Sequence, residues 1–244
     1  NKNCEVQLEA HFNLTNNSIN NINYNIHIDE SAVVKHSIFQ NFANSNKLYL
    51  TSNSVCEKNS FYNQNTYNFS DGFVRNFHHA HLNGEYSNAS LKGCFFLKNK
   101  NICSNKTNII HNAENCVSDQ TYKGILNDHS KASYYSNTFV SENAQKTEGY
   151  QLSKGILLTD DCSFFSKPEL RIFADDVKCS HGSTIGPVDE SALYYLRSRG
   201  IGKKEAMKMI ISSFIEEDLQ NLDRNIAETI SNNLSNYLSS LSND

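Results

Sequence analysis

Val6-Gln-Leu-Glu-Ala-His-Phe-Asn-Leu14 and Ile22-Asn-Tyr-Asn-Ile-His-Ile28 place an apolar side chain at every second position. A period of two sends alternate side chains to opposite faces of an extended chain, so both stretches read as strands with one face buried. Shorter runs of the same kind follow at Leu48-Tyr-Leu50, Phe73-Val74, Cys94-Phe-Phe-Leu97, Ile109-Ile110, Ile125-Leu126, Thr138-Phe-Val140, Ile156-Leu-Leu158 and Leu170-Arg-Ile-Phe173. No stretch from residue 4 to about 177 sustains a 3.6-residue period. Many short strands predict a sandwich, a barrel or a β-solenoid. The solenoid is favoured because the 244 residues hold only two prolines, glycine-based hairpin turns are few, and asparagine crowds the intervals between strands. Asparagine tolerates left-handed backbone and can stack in ladders at corners. No repeat of fixed length is visible.

At Pro187 the period changes. Asp189 is placed to cap a helix through Leu193, Tyr194 and Leu196 that ends at Gly200. A second helix begins near Lys203, with Ala206, Ile210, Phe214, Ile215 and Leu219 as its apolar stripe. A third carries Leu222, Ile226, Ile230, Leu234, Leu238 and Leu241, close to every fourth position. The expected architecture is a mainly β body, residues 1–186, followed by a C-terminal helical domain, residues 187–244.

Net charge is −4. That excludes a basic field for wrapping nucleic acid, and no Lys/Arg cluster suggests an anionic membrane surface. The apolar runs are too short to span a bilayer. Seven cysteines at positions 4, 56, 94, 103, 116, 162 and 179 are odd in number and never spaced CxxC, which argues against a disulfide framework or a zinc ribbon. The Asn-x-Ser/Thr triplets at Asn13, Asn16, Asn68, Asn88 and Asn105 are expected by chance in so asparagine-rich a chain. A reducing, cytosol-like compartment is expected, and the chain reads as lacking a leading segment.

The segment Lys167-Pro-Glu-Leu-Arg-Ile-Phe-Ala-Asp-Asp-Val-Lys-Cys-Ser-His-Gly-Ser-Thr-Ile-Gly186 presents Cys179 and His181 two positions apart. On a strand they share a face, and thiolate with imidazole is a ligand pair for iron, zinc and copper. Alone, the spacing is weak evidence; a small buried cysteine beside a surface histidine is the bland alternative. A Cys/His hydrolase is disfavoured, since residues two apart on one strand do not readily make a nucleophile–base contact and no third orienting residue is evident. Asp175 and Asp176 read as a turn, with iron attraction or orientation of His181 as the sharper alternative. His78-His-Ala-His81 reads as a surface strand, with His79 and His81 on one face and His78 on the other. Gly182-Ser-Thr-Ile-Gly186 lacks Gly-Lys-Ser/Thr and reads as a connection, not a phosphate loop.

Tyr122-Lys-Gly-Ile-Leu126, Asn143-Ala-Gln-Lys-Thr147, Gly155-Ile-Leu-Leu158, Lys167-Pro-Glu-Leu170, Ala174-Asp-Asp-Val-Lys-Cys-Ser-His-Gly182 and Leu193-Tyr-Tyr-Leu-Arg-Ser-Arg-Gly-Ile201 together resemble the SufB/SufD family of iron–sulfur cluster assembly scaffolds. The Asp-Asp-Val-Lys-Cys-Ser-His-Gly form resembles the SufD type. The match is strong from about residue 107 to 215 and weak before that. Ser183, Ile185 and the Asp160-Asp-Cys162 segment depart from the usual pattern. The resemblance implies a right-handed parallel β-helix followed by a helical domain. It implies pairing with a SufB-type scaffold through the β-helix edges, and docking of the C-terminal helices on a SufC-type ABC ATPase. By motif it assigns Cys179 and His181 to the cluster site at that shared interface, as transient iron ligands, with no cofactor held stably by the isolated chain. Tyr195, Arg197 and Arg199, outward on their helix, and Tyr194 are the expected SufC-docking residues. The chain is then a scaffold and not an enzyme, with a homodimer possible in isolation. The compartment is a bacterial cytoplasm or a plastid-type stroma. Competing readings are a β-solenoid carbohydrate-active enzyme, for which Asp119 and Asp128 would be recruited, and a structural or adhesion solenoid.

Overall fold

A computed structural model describes residues 2–14, 17–42, 46–219 and 222–241, with side chains at all of these except 217–219. Asn16 and the Leu219 side chain therefore lie outside the described residues. Thirteen strands come first: β1 (Glu5–Phe12), β2 (Ile19–Ile28), β3 (Val33–Gln40), β4 (Asn46–Cys56), β5 (Phe61–Asn68), β6 (Gly72–Leu82), β7 (Asn88–Leu97), β8 (Ile102–His111), β9 (Val117–Leu126), β10 (Lys131–Val140), β11 (Thr147–Leu157), β12 (Ser163–Ile172) and β13 (Val177–Pro187). Three helices follow: α1 (Glu190–Ser198), α2 (Lys203–Leu219) and α3 (Arg224–Ser240).

Every strand pairs in parallel with the strand two places on. Odd-numbered strands form a seven-stranded sheet in the order β1-β3-β5-β7-β9-β11-β13, and even-numbered strands a six-stranded sheet in the order β12-β10-β8-β6-β4-β2. The chain thus winds through about six turns of a parallel β-solenoid, two strands to a turn. Glu5 pairs with Val33, Phe61 with Asn88 and Val117 with Glu148, steps of 28, 27 and 31 residues. On the other sheet Lys47 to Phe73 is 26 and Lys131 to Ser163 is 32. Loops that vary by up to six residues hide the repeat from a search for fixed period.

The corners explain the asparagine content. Asn3, Ser31, Asn59, Tyr86, Asn115 and Lys146 occupy the same corner of successive turns, each with φ between 54 and 60°. That left-handed backbone strains most L-residues and least strains asparagine. Their amides climb the corner as a ladder, Ser31 N–H to Lys58 O at 2.9 Å and Asn59 N–H to Glu85 O at 2.9 Å. Asparagines also stack from turn to turn, Asn112 to Asn83 at 2.8 Å and Asn53 to Asn25 at 3.1 Å.

Inward side chains from both sheets fill the lumen with two apolar clusters, one around Leu48, Leu50, Phe95, Tyr122 and Tyr134, the other around Ile28, Leu82, Leu91 and Ile109. Gly124 admits the Phe95 ring where a Cβ would collide with it. A third cluster lies outside. Phe39, Tyr67, Cys94, Phe96 and Ile125 form an apolar stripe on the outer face of the seven-stranded sheet, and Ile211, Ile215, Ile226, Ile230, Leu234, Tyr237 and Leu238 of α2 and α3 cover it. Lys123 Nζ donates to Phe214 O at 3.0 Å and Tyr237 Oη to Leu97 O at 3.0 Å across this junction.

The helical expectations hold with one shift. Asp189 caps α1, its carboxylate accepting from Ser191 N–H at 2.9 Å, and Gly200 adopts φ +86° beyond the helix end. In α2 the buried line is Ala206, Ile211 and Ile215, so Ile211 and not Ile210 packs on the sheet. The two isoleucines are adjacent, and only the direction from which the sheet approaches decides between them.

Candidate functional site

β13 ends the seven-stranded sheet, with β11 as its strand partner. Its inward positions are Val177, Cys179, His181, Ser183 and Ile185, in register with Thr147, Gly149, Gln151, Ser153 and Gly155 of β11. Cys179 and His181 thus share the lumen side of the terminal strand, as their spacing predicts. Cys179 is half-buried against the small cluster of Val140, Ala144 and Ala174, whereas His181 is exposed. Gly149 makes room for the thiol: a Cβ there would stand 3.3 Å from Cys179 Sγ. Burial pushes the Cys179 thiol above its ordinary value, partly offset by a hydrogen bond from the Gly149 backbone.

Beneath the pair the lumen is polar. Gln151, only 3% exposed, donates through Nε2 to Thr138 Oγ1 at 2.8 Å and Glu169 O at 3.1 Å. Its Oε1 has no hydrogen-bond partner, and neither have the buried hydroxyls of Ser153 and Ser166. Such orphans are uncommon in folded proteins. Three of them gather directly under β13 and in β12, at the end where the solenoid terminates. No sequence pattern would have found Gln151 and Ser153; only the turn-to-turn register places them below His181 and Ser183.

Asp175 and Asp176 lie in an exposed bend between β12 and β13, where Asp176 O accepts from Lys146 N–H at 2.6 Å and Asp176 N–H donates to Gln145 Oε1 at 3.0 Å. The turn reading is the one the geometry supports. His79 and His81 sit on the outer face of β6, but His78 is wholly buried, which corrects the surface reading for that residue. No group of three or more metal-capable side chains converges among the described residues. Asp119 is ion-paired to Lys92 at 3.1 Å, and Asp128 accepts from Asn99 N–H at 2.7 Å in a corner, so the two carboxylates serve separate structural contacts. Asn68 and Asn105 are buried. No disulfide joins any of the seven cysteines among the described residues.

On α1, Tyr194 and Tyr195 are 76% and 58% exposed, and Arg199 stacks its guanidinium 5.3 Å from the Tyr195 ring. No residue of α1 is fully buried. Leu193 and Leu196 are half-buried.

The family model of the SUF system FeS cluster assembly, SufBD core domain, matches residues 1–214. The chain belongs to the SufBD core family. Among curated relatives it is 38% identical over 136 residues to the iron–sulfur cluster assembly protein SufD of Escherichia coli, a match covering 56% of this chain and 32% of that protein. SufD of Plasmodium falciparum is 26% identical over 91% of this chain, which is 15% of the relative's length. A chloroplastic protein of Arabidopsis thaliana is 36% identical over half of the chain and 26% of its own length. The chain therefore spans a third or less of these relatives. It is a SufD-type member of that family, built as a parallel β-solenoid. None of its described helices is long and apolar enough to cross a membrane.

Proposed function

We propose that this chain is one half of a cluster-assembly scaffold, a non-catalytic subunit that pairs with a SufB-type partner along β13. The observation that carries the proposal is the placement of Cys179 and His181 on one side of the terminal strand, above buried polar atoms that lack partners. An edge strand offers unpaired backbone amides and carbonyls to a second edge. Thiolate binds iron firmly, whereas neutral imidazole holds ferrous iron more loosely, which suits a site that must release its cargo. The raised pKa of Cys179 supports a half-site: the thiol stays protonated until a partner or iron stabilises the thiolate. Tyr194, Tyr195, Arg197 and Arg199 form the docking face for a SufC-type ATPase, since an exposed aromatic beside arginine is a common interface anchor. Seven free thiols suit a reducing compartment, a bacterial cytoplasm or a plastid-type stroma.

The test is co-purification of the full-length protein with SufB- and SufC-type partners, followed by anaerobic cluster reconstitution. Cys179→Ala with His181→Ala is expected to abolish cluster formation while leaving the complex assembled; an undiminished cluster yield would remove the pair from the site. Tyr195→Ala with Arg199→Ala is expected to weaken ATPase capture at least tenfold. Unchanged capture would move the docking face elsewhere.

A further inference from the structure

The two outer faces of the solenoid differ in charge. Over the whole chain acids outnumber Lys and Arg, 26 to 22. On the outer face of the seven-stranded sheet the charges are nearly balanced: Glu5, Glu9, Asp119 and Glu148 stand against Lys35, Lys92, Lys123, Lys154 and Lys178, with Lys35 paired to Glu5 at 2.6 Å, Lys92 to Asp119 at 3.1 Å and Lys178 to Glu148 at 2.9 Å. The six-stranded sheet, which none of the described helices covers, is different. Its outward strand positions carry Lys47, Arg75, Lys106, Lys131, Lys167 and Arg171 against one carboxylate, Glu169. Glu169 is held by Arg171 at 2.7 Å. Arg75, Lys106, Lys131 and Lys167 have no salt-bridge partner among the described residues.

Arg75 and Lys106 line a groove of about 620 Å³ together with Tyr49, Thr51, Phe77 and Tyr135. Register makes it continuous: Phe77, Lys106, Tyr135 and Lys167 occupy one rung position on four neighbouring strands. Beside them Asn108 bridges to His79 at 3.1 Å and to Asn137, a line of amides that can bond an extended backbone. Self-repulsion among unpaired like charges is unfavourable, so a face of this kind is stabilised by an acidic partner.

We propose that the outer face of the six-stranded sheet docks an acidic polypeptide segment of a partner protein, with Arg75 and Lys106 as its central anchors. Charge complementarity selects an anionic occupant. The aromatic rings select a polypeptide over a single-stranded nucleic acid, which would need open ring faces for its bases. Tyr49 packs 5.4 Å from Phe73, Tyr135 packs 5.6 Å from Phe165, and Phe77 lies between His79 at 4.0 Å and the Lys106 ammonium at 4.9 Å. Exposed carboxylates need only the cations, and the rings supply apolar contact to intervening side chains. This face is separate from β13, so its occupation does not depend on the assignment of Cys179 and His181.

The test uses the chain itself and a fluorescein-labelled peptide of six Glu-Ser repeats, read by fluorescence anisotropy. Binding is expected at 50 mM salt, at least tenfold weaker at 300 mM, and at least tenfold weaker in R75E with K106E. The charge-matched control, K35E with K92E on the opposite face, is expected to bind as the parent does. Thermal melting checks that both variants are folded. Failure of the peptide to bind, tighter binding of a twelve-residue oligothymidine, or equal loss in the control variant overturns the proposal. Salt-sensitive self-association lost in R75E with K106E would replace the partner with a second copy of the chain, and would also overturn it.

Discussion

Gln64 holds together a group of buried polar side chains that would otherwise be costly. Its Oε1 accepts from Ser52 Oγ at 2.7 Å and Tyr62 Oη at 2.7 Å. Each hydroxyl has then spent its proton, so each presents a lone pair to a histidine: His78 Nδ1 stands 2.8 Å from Ser52 Oγ, and His36 Nδ1 stands 3.1 Å from Tyr62 Oη. Thr66 Oγ1 receives Gln64 Nε2 at 3.4 Å and lies 3.3 Å from His78 Nε2, which accepts. Both histidines are thereby placed as neutral Nδ1–H tautomers. Gln64→Leu removes the shared acceptor and leaves two buried hydroxyls unsatisfied. Urea unfolding should show a loss of about 2–4 kcal/mol. The cysteines give a second prediction at this scale. Cys56, Cys94, Cys103, Cys116 and Cys162 are buried, whereas Cys4 and Cys179 are partly exposed. Iodoacetamide at pH 7 should label Cys4 and Cys179 in the native chain and the other five only in denaturant, as mass spectrometry of the peptides would record. Because burial raises the Cys179 thiol, its labelling rate should climb with pH from neutrality upward.

At the scale of elements, α3 and β12 show how local signals meet their surroundings. The α3 stripe was legible in full, because Ile226, Ile230, Leu234 and Leu238 repeat every fourth residue and all four are buried. What it would pack against was not legible. Phe39, Tyr67 and Cys94 come from three different turns and line up only through the register of β3, β5 and β7. Ile230→Ala should cost about 2–4 kcal/mol by denaturant titration, in line with a fully buried aliphatic side chain. Hydrogen exchange in that variant should quicken in α2 and α3 before it quickens in the strands. Pro168 lies within β12, and it is tolerated because β12 is the last strand of its sheet and has only β10 to bond. The same edge position that admits the proline leaves the end of the lumen open beside β13.

Across the whole molecule, burial of histidine sets the pH behaviour. His36 and His111 are pushed down to about 4 and His78 to about 3, in each case chiefly by loss of solvent. Their unfolded value is 6.5, so between roughly 6.5 and 4 the unfolded chain binds protons that the folded chain refuses. Stability is therefore complete above about pH 6.5 and falls as pH falls through this window, each histidine adding up to about 1.4 kcal/mol per unit. Urea midpoints between pH 7.5 and 4.5 should follow that sign, and His78→Asn should flatten the slope. Charge is also a whole-molecule property here. A net charge of −4 conceals a face with six cations and one acid, because the average over the chain discards which side of a strand each residue takes.

By itself the sequence determined the local conformations and the chemistry on offer. Alternation at Val6–Leu14 and Ile22–Ile28 specified strands, asparagines specified left-handed corners, the change of period at Pro187 specified helices, and the spacing of Cys179 and His181 specified a shared face. These are short-range properties, set within a few residues by backbone sterics and side-chain direction. Tertiary structure alone decided the rest: that His78 is interior, that Ile211 replaces Ile210 on the sheet, that Gln151 underlies His181, and that Arg75 and Lys106 meet on one uncovered face. Each of those depends on which residue stands one turn above or below. Turns of 26 to 32 residues make that neighbour unreadable until the chain is wound.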